Sequence, residues 1–117
     1  MGFRPGRWDI EYAANSALDE TFRWTNNGQA VSLVGYSAFM QVRKGLSDTE
    51  LLLDLTSANG RIVLGGALGT IRLTASPAVM SAVPAGVWRY DLYLSTGNVP
   101  FRFMEGAFTV RAGVTVL

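Results

Sequence analysis

The sequence predicts an all-β domain: an antiparallel sandwich of about seven to nine short strands, with one short helical turn near residues 77–83. Three observations carry that prediction. Apolar and polar residues alternate with a period of two through most of the apolar stretches. Turn residues, twice as Asn-Gly, punctuate those stretches at roughly 8–12 residue spacing. No strand–helix–strand crossover is visible.

Residues 1–7 carry Gly2, Pro5 and Gly6 beside two arginines and read as a flexible arm. Residues 8–112 read as the domain, and 113–117 as a tail or a last strand. Trp8-Asp9-Ile10-Glu11-Tyr12 alternates as a half-buried strand does. Residues 13–20 fit a loop or a short helical turn. Thr21 to Thr25 alternates again and runs into Asn26-Asn27-Gly28, a sequence that tolerates the positive φ of a tight hairpin turn. Ala30 to Leu33 reads as a short strand. In Tyr36 to Arg43, the residues Ala38, Met40 and Val42 share one face, with Phe39, Gln41 and Arg43 on the other. Lys44 to Thr49 is a connection.

Glu50 to Thr56 is the most apolar strand. Asn59-Gly60 follows it, and Arg61 to Leu64 reads as its returning hairpin partner. Gly65 to Gly69 is a turn, and Thr70 to Thr74 is another alternating strand. Ser76 and Pro77 suit the N-cap and first residue of the helical turn, which Pro84 and Gly86 close. The longest hairpin runs from Val87 to Leu94, through Ser95-Thr96-Gly97-Asn98, and back along Phe101 to Val110. Its predicted core residues are Tyr90, Leu92, Leu94, Phe101, Phe103, Phe108 and Val110. Arg89, Asp91 and Arg102 are expected to face solvent, with Glu105-Gly106 as a bulge that resets the alternation.

The composition narrows the function. A chain of 117 residues suits one domain with one core. Hydrophobic residues make up 49% and charged residues 16%, below the ~25% that is usual, so part of the surface is expected to be covered in the working state. Ten basic and nine acidic residues are dispersed along the chain, which argues against a nucleic-acid partner. Cysteine and histidine are absent. That excludes thiolate catalysis, disulfides and Cys-ligated zinc, and removes the usual general base and the commonest metal ligand. No run approaches the ~18 apolar residues of a membrane span, so no membrane partner is expected. Residues 1–8 lack the apolar core of a signal peptide, so use without secretion is expected.

The acid–base candidates are Asp9, Glu11, Asp19, Glu20, Asp48, Glu50, Asp54, Asp91 and Glu105. A glycosidase needs two such groups facing each other ~5–10 Å apart, and sequence spacing defines no such pair. Asp54 and Asp91 lie inside apolar strands and read as solvent-side partners of Arg89, Arg102 or Arg72. Gly65 to Gly69 lacks the Lys-Ser/Thr ending and the following helix of a phosphate loop. No loop has the oxygen-ligand spacing of a calcium site. No catalytic residue, cofactor or metal is therefore predicted. Trp8, Trp24, Trp88, Tyr12, Tyr36, Tyr90 and Tyr93 would make a carbohydrate platform only if exposed and coplanar, and alternating strand positions favour the core.

Val83-Pro84-Ala85-Gly86-Val87-Trp88-Arg89-Tyr90 resembles the corner of Ig-like sandwiches, where an aromatic side chain ties the incoming loop to the strand. Trp88 or Tyr90 would serve, and only Tyr90 has a hydroxyl. The order of short motifs along residues 8–115 extends that likeness. Trp8-Asp9-Ile10 precedes Glu20-Thr21-Phe22, and Val34-Gly35-Tyr36-Ser37-Ala38 precedes Gln41-Val42-Arg43. Then come Leu52-Leu53-Asp54-Leu55-Thr56 with Gly60-Arg61-Ile62, Gly69-Thr70-Ile71-Arg72-Leu73, Ala85-Gly86-Val87-Trp88-Arg89-Tyr90-Asp91-Leu92, and a close at Gly106, Val110 and Val114-Thr115.

In this order the chain resembles the small Ig-like structural domains of tailed bacteriophages, the type found at the amino end of baseplate upper proteins and in related tail and fibre-attachment proteins. The resemblance implies an Ig-like antiparallel sandwich and a non-enzymatic virion structural protein of the tail, baseplate, fibre attachment or connector. It implies synthesis in the host cytoplasm and residence in the virion. The implied partners are other virion proteins in a symmetric multi-copy assembly. Contacts are expected at the arm (Phe3, Arg4, Arg7), in the 13–20 segment (Asp19, Glu20) and in the tail (Val114, Val116, Leu117). The alternative is a carbohydrate-binding or host-recognition sandwich module.

Overall fold

A computed structural model describes residues 6–45 and 50–114. The described strands are β1 (Gly6–Arg7), β2 (Ile10–Ala13), β3 (Leu18–Arg23), β4 (Thr25–Asn26), β5 (Gln29–Ala30), β6 (Ser37–Arg43), β7 (Leu51–Thr56), β8 (Ile62–Leu64), β9 (Thr70–Ala75), β10 (Gly86–Thr96) and β11 (Val99–Arg111). One helical turn, α1 (Pro77–Met80), joins β9 to β10. The Ser76 hydroxyl accepts from the Val79 N–H, and Pro77 follows it at the start of the turn.

β11, β10, β6 and β7 lie side by side and antiparallel. β1 and then β2 add to the outer edge of β11, both parallel to it. A second sheet has the order β3-β9-β8. The two sheets enclose one core. Leu18 and Phe22 of β3 and Ile71 and Leu73 of β9 enter it from one side, and Met40, Val42, Leu55, Leu92, Leu94 and Phe108 from the other. The fold is an all-β sandwich.

Several elements differ from the expectations above. The strand count rises because β1, β4 and β5 are only two residues long. The antiparallel rule fails at β1 and β2, which arrive at the edge of β11 without a hairpin to reverse them. Gly6 and Arg7, read as part of the arm, pair with Met104 and Glu105. Leu18 to Glu20 belongs to β3, and the segment before it holds only a tight turn with Asn15 at φ 64°. Gln29–Ala30 pairs with Thr25–Asn26 around Asn27-Gly28, while residues 31–33 form no strand. Gly66–Leu68 is one turn of 3-10 helix.

The predicted hairpin of β7 and β8 does not exist, since the two strands lie in different sheets. Side chains explain the handover. The Asn59 side-chain oxygen accepts from the Thr56 and Arg61 N–H groups, each at 3.0 Å. The Asp54 carbonyl on the β7 edge accepts from Asn59 Nδ2 and from the Arg61 guanidinium. These bonds occupy the Thr56 N–H and the Asp54 carbonyl, the edge groups nearest the turn, which a hairpin partner would have used first.

The bulge also moves. Leu92 pairs with Met104 and Tyr93 with Arg102, so Phe103 is the extra residue, while Gly106 stays in register opposite Tyr90.

Candidate assembly surface

The amino-terminal edge is built around a backbone contact. β1 runs beside Met104–Glu105, the chain steps sideways at Trp8-Asp9, and β2 resumes beside Phe108 to Arg111. The Trp8 N–H donates to the Glu105 carbonyl at 3.0 Å, and the Ala107 N–H donates to Asp9 Oδ1 at 2.9 Å. Gly106 sits beneath the step. A Cβ there would lie 2.2 Å from the Trp8 carbonyl oxygen, so only glycine lets the backbones approach so closely. From the opposite residue, the Tyr90 hydroxyl donates to that same carbonyl. Burial, followed by the nearby Asp9 and Glu20 carboxylates, pushes the Tyr90 hydroxyl well above the usual tyrosine range. The Trp8 ring meets Phe22 of the other sheet edge to face at 5.9 Å, and stays half exposed.

The corner between α1 and β10 uses Trp88. Its indole N–H donates to the Pro84 carbonyl at 2.8 Å. The ring folds over Gly86, where a Cβ would come within 2.5 Å of the indole carbon Cζ2. Trp88 and Tyr90 are the two sequence candidates for this tie, and of the two only Tyr90 has a hydroxyl. That hydroxyl reaches Trp8 instead, and the indole N–H does the tying.

The outer face of the large sheet carries three side-chain rows set by the strand register. Arg43 lies beside Arg89, Gln41 beside Asp91 and Glu105, and Phe39 beside Tyr93 and Arg102. Arg102 organises the centre. Its guanidinium is 3.6 Å from the Asp91 carboxylate and 3.9 Å from Glu105, and its Nη2 donates to the Tyr93 hydroxyl at 3.2 Å. Its Cζ stands 5.6 Å from the Tyr93 ring centroid. Partial burial raises the Asp91 carboxyl above its ordinary value, Arg102 pulls it down and Glu105 adds to the rise. Asp91 and Glu105 thus face each other as a cross-strand pair that shares one arginine, in an open depression of about 170 Å³ also lined by Arg43 and Arg89. No enclosed cleft separates an acid from a base there. Among the described residues no group of three or more acidic side chains is placed to hold a metal ion.

The predicted contact residues are scattered. Phe3, Arg4, Val116 and Leu117 lie outside the described residues. Arg7 is in β1, 3.5 Å from the Asp9 carboxylate. Asp19 is in β3 and takes two bonds from Arg72, at 2.9 and 3.0 Å, which hold its carboxyl below the ordinary range. Glu20 is half-buried beside it, and Val114 is fully exposed. Of the predicted core residues, Tyr90, Leu92, Leu94, Phe103, Phe108 and Val110 are buried. Phe101 is only half-buried, because its ring leans on Trp24 near the end of the domain.

Trp8, Trp24 and Trp88 form no common platform. Trp8 is on the amino-terminal edge, Trp24 packs its ring against Phe101 and Phe103, and Trp88 closes the α1 corner. Arg102 is one of the three arginines expected as partners of Asp91, and the ion pair forms; the sequence did not point to Glu105 and Tyr93 joining it, which depends on the bulge at Phe103. The sequence reading also missed a loop end where Val34, Leu68 and Val99 are 71%, 65% and 65% exposed. A signal for that end was present: residues 24–42, 62–71 and 92–101 contain no Asp, Glu, Lys or Arg.

No family model and no curated protein matches the sequence. Solved structures do match the fold. The N-terminal domain of phage TP901-1 ORF48 aligns with a TM-score of 0.51 at 15% identity, covering 92% of this chain and 90% of that one. The chain has an Ig-like fold. Its sheets correspond to the B-E-D and G-F-C-C′ arrangement of such sandwiches, with the amino-terminal strand added parallel to G. The extracellular domain of the voltage-gated sodium channel beta4 subunit aligns over 97% of this chain and 98% of its own, at 13% identity and a TM-score of 0.49. No helix among the described residues is long and apolar enough to cross a membrane.

Proposed function

We propose that the chain is a non-enzymatic virion structural protein of a tailed bacteriophage, acting in the tail, baseplate, fibre attachment or connector through contacts with other virion proteins. The observation that carries this reading is the match, over nearly the whole chain, to the N-terminal domain of a phage protein. Low charge content and the absence of histidine and cysteine support it, since they suit burial of surface better than acid–base or metal chemistry. The facing Asp91–Glu105 pair supports it too, because Arg102 turns the two carboxylates into a structural cluster.

The test is the protein content of purified particles. Mass spectrometry of gradient-purified virions is expected to find the chain at a fixed copy ratio to the major tail proteins. Its absence from intact particles would overturn the assignment.

A further inference from the structure

The two Asn-Gly pairs of the chain are chemically alike, and both are exposed. The fold treats them differently. Asn27 and Gly28, with φ of 52° and 78°, form the two-residue turn between β4 and β5. The base of this hairpin is fixed. The Trp24 N–H donates to the Gly69 carbonyl at 2.8 Å, the Val31 N–H to the Trp24 carbonyl at 2.9 Å, and the Leu33 N–H to the Gly66 carbonyl at 2.9 Å. Beyond that base the tip has only two residue pairs, Thr25 with Ala30 and Asn26 with Gln29, and it joins neither sheet. So short a ladder opens at little cost. Among the described residues the Asn27 side chain has no hydrogen-bond partner.

Asn59 is held instead. Its Oδ1 accepts from the Thr56 and Arg61 N–H groups, each at 3.0 Å, and its Nδ2 donates to the Asp54 carbonyl at 3.2 Å. Its own N–H donates to Thr56 Oγ1 at 2.9 Å. The bonds that end β7 therefore also fix this amide. Asn15 and Asn98 share the positive φ of Asn27, but Ser16 and Val99 follow them, and a side chain there obstructs attack by the following backbone nitrogen.

We propose that Asn27 is a site of spontaneous deamidation and that the fold protects Asn59 from the same reaction. Opening of the hairpin tip brings the Gly28 backbone nitrogen to Asn27 Cγ. The nitrogen loses its proton and attacks. The new N–Cγ bond forms, the Cγ–Nδ2 bond breaks, and Nδ2 leaves as ammonia with the proton that Gly28 gave up. The product is a succinimide. Water then opens one of its two carbonyl–nitrogen bonds. Opening at Cγ through the main-chain carbonyl gives isoaspartate, whose backbone is longer by one carbon, and opening of the other bond gives aspartate. No catalyst, oxidant or partner is required. At Asn59 the same attack must first break all three side-chain bonds.

Either product adds a carboxylate to the run 24–42, which has no charge. That run meets the uncharged run 62–71 through the Trp24 and Leu33 bonds, and the uncharged run 92–101 where Ser37 pairs with Ser95. The formal net charge of +1 falls to zero, which weakens repulsion between copies. Isoaspartate also overfills a turn built for two residues, so the pairing of Asn26 with Gln29 is lost. The chemistry belongs to the chain alone and does not depend on the assembly reading.

Peptide mapping of the full chain, incubated at mildly alkaline pH, tests this. Trypsin cuts after Arg23, Arg43, Lys44 and Arg61, so Asn27 falls in residues 24–43 and Asn59 in residues 45–61. Mass spectrometry reads the exchange of amide for acid in each peptide, and fragment ions separate Asn27 from Asn26. A parallel incubation in guanidinium chloride removes the fold, and there the two sites are expected to react at similar rates. In the native chain Asn27 is expected to stay within about tenfold of its unfolded rate. Asn59 is expected to fall roughly a hundredfold below its own, because three hydrogen bonds hold it. The acidic species that ion exchange resolves should be missing from Asn27→Ser. The proposal is overturned if the two native rates are equal, whether both fast or both slow, or if the acidic species forms unchanged in Asn27→Ser.

Discussion

Gly106 lies directly under the Trp8 carbonyl, with no room for a methyl group between them. The obstructing atoms are backbone, so Gly106→Ala must lift the Trp8-Asp9 step off β11. The expected cost is roughly 1–3 kcal/mol, the range for overpacked sites. Urea unfolding measures it. Hydrogen exchange supplies the location: amides of Ile10 to Ala13 should lose protection before those of β10.

Tyr90→Phe keeps the ring and removes the bond to the same carbonyl. The expected loss is about 0.5–1.5 kcal/mol, against ~3–5 kcal/mol for Tyr90→Ala, which also empties the ring's place in the core. The Phe variant should cost less in the Gly106→Ala background, where the carbonyl has already moved. Additive losses would mean that the two residues do not act on one backbone step.

Tyr90 also sets an alkaline limit. An unfolded tyrosine ionises near pH 10, whereas the folded hydroxyl keeps its proton to higher pH. Above about pH 10 the unfolded state therefore holds fewer protons than the native state, and stability falls as pH rises. The contribution is complete below that pH. Melting temperatures at pH 8 to 11, wild type against Tyr90→Phe, should converge as the wild type loses its advantage.

Asp19 and Asp91 should respond to amide substitution with opposite signs at neutral pH. The Asp19 carboxyl is held low by Arg72, so its ionised form favours the native state above the unfolded value and that support is lost as pH falls through the native one. Asp91 is raised by burial, so its ionised form disfavours the native state. Asp19→Asn should therefore destabilise, and Asp91→Asn should be neutral or stabilising. Both differences should shrink below about pH 4, where unfolded aspartate protonates. Chemical denaturation at pH 7 and pH 3 reads both signs.

Trp88 and Gly86 form a coupled pair at the α1 corner. Gly86→Ala drives a methyl group into the indole. Trp88→Ala removes the indole and its bond to Pro84. In the double variant the methyl group meets open space, so the coupling energy should fall within about 0.5–3 kcal/mol. A double-mutant cycle by thermal unfolding measures it.

Strand identities and faces were readable where one face alone is buried. The Ala38-Met40-Val42 stripe of β6 and the Tyr90-Leu92-Leu94 stripe of β10 are period-two patterns, and both are buried. What the pattern could not carry was pairing between distant segments. Nothing in the order of residues says that Asn59 and Arg61 take up the Thr56 N–H and the Asp54 carbonyl at the end of β7, while β8 joins the other sheet. Nothing local distinguishes Phe103 from Glu105 as the bulge, whereas in the fold Gly106 is held in register beneath the Trp8 carbonyl, far away in sequence. An arginine partner for Asp91 was readable, with Arg102 among three candidates, but the choice of Arg102 and its contacts to Glu105 and Tyr93 depend on the bulged register. The uncharged loop end was readable as three separate runs, and only the fold shows that they meet.

The parallel β2–β11 pairing has a consequence for how this chain is made. Asp9 and Ala107 are joined by a hydrogen bond across 98 positions of sequence. During synthesis β2 emerges long before its partner β11. β2 therefore waits for β11 before it can pair, and the closing step carries a large loop-closure cost. Until β11 is made, the edge of β10 that it covers has no partner, and such an open edge is a site for pairing between chains.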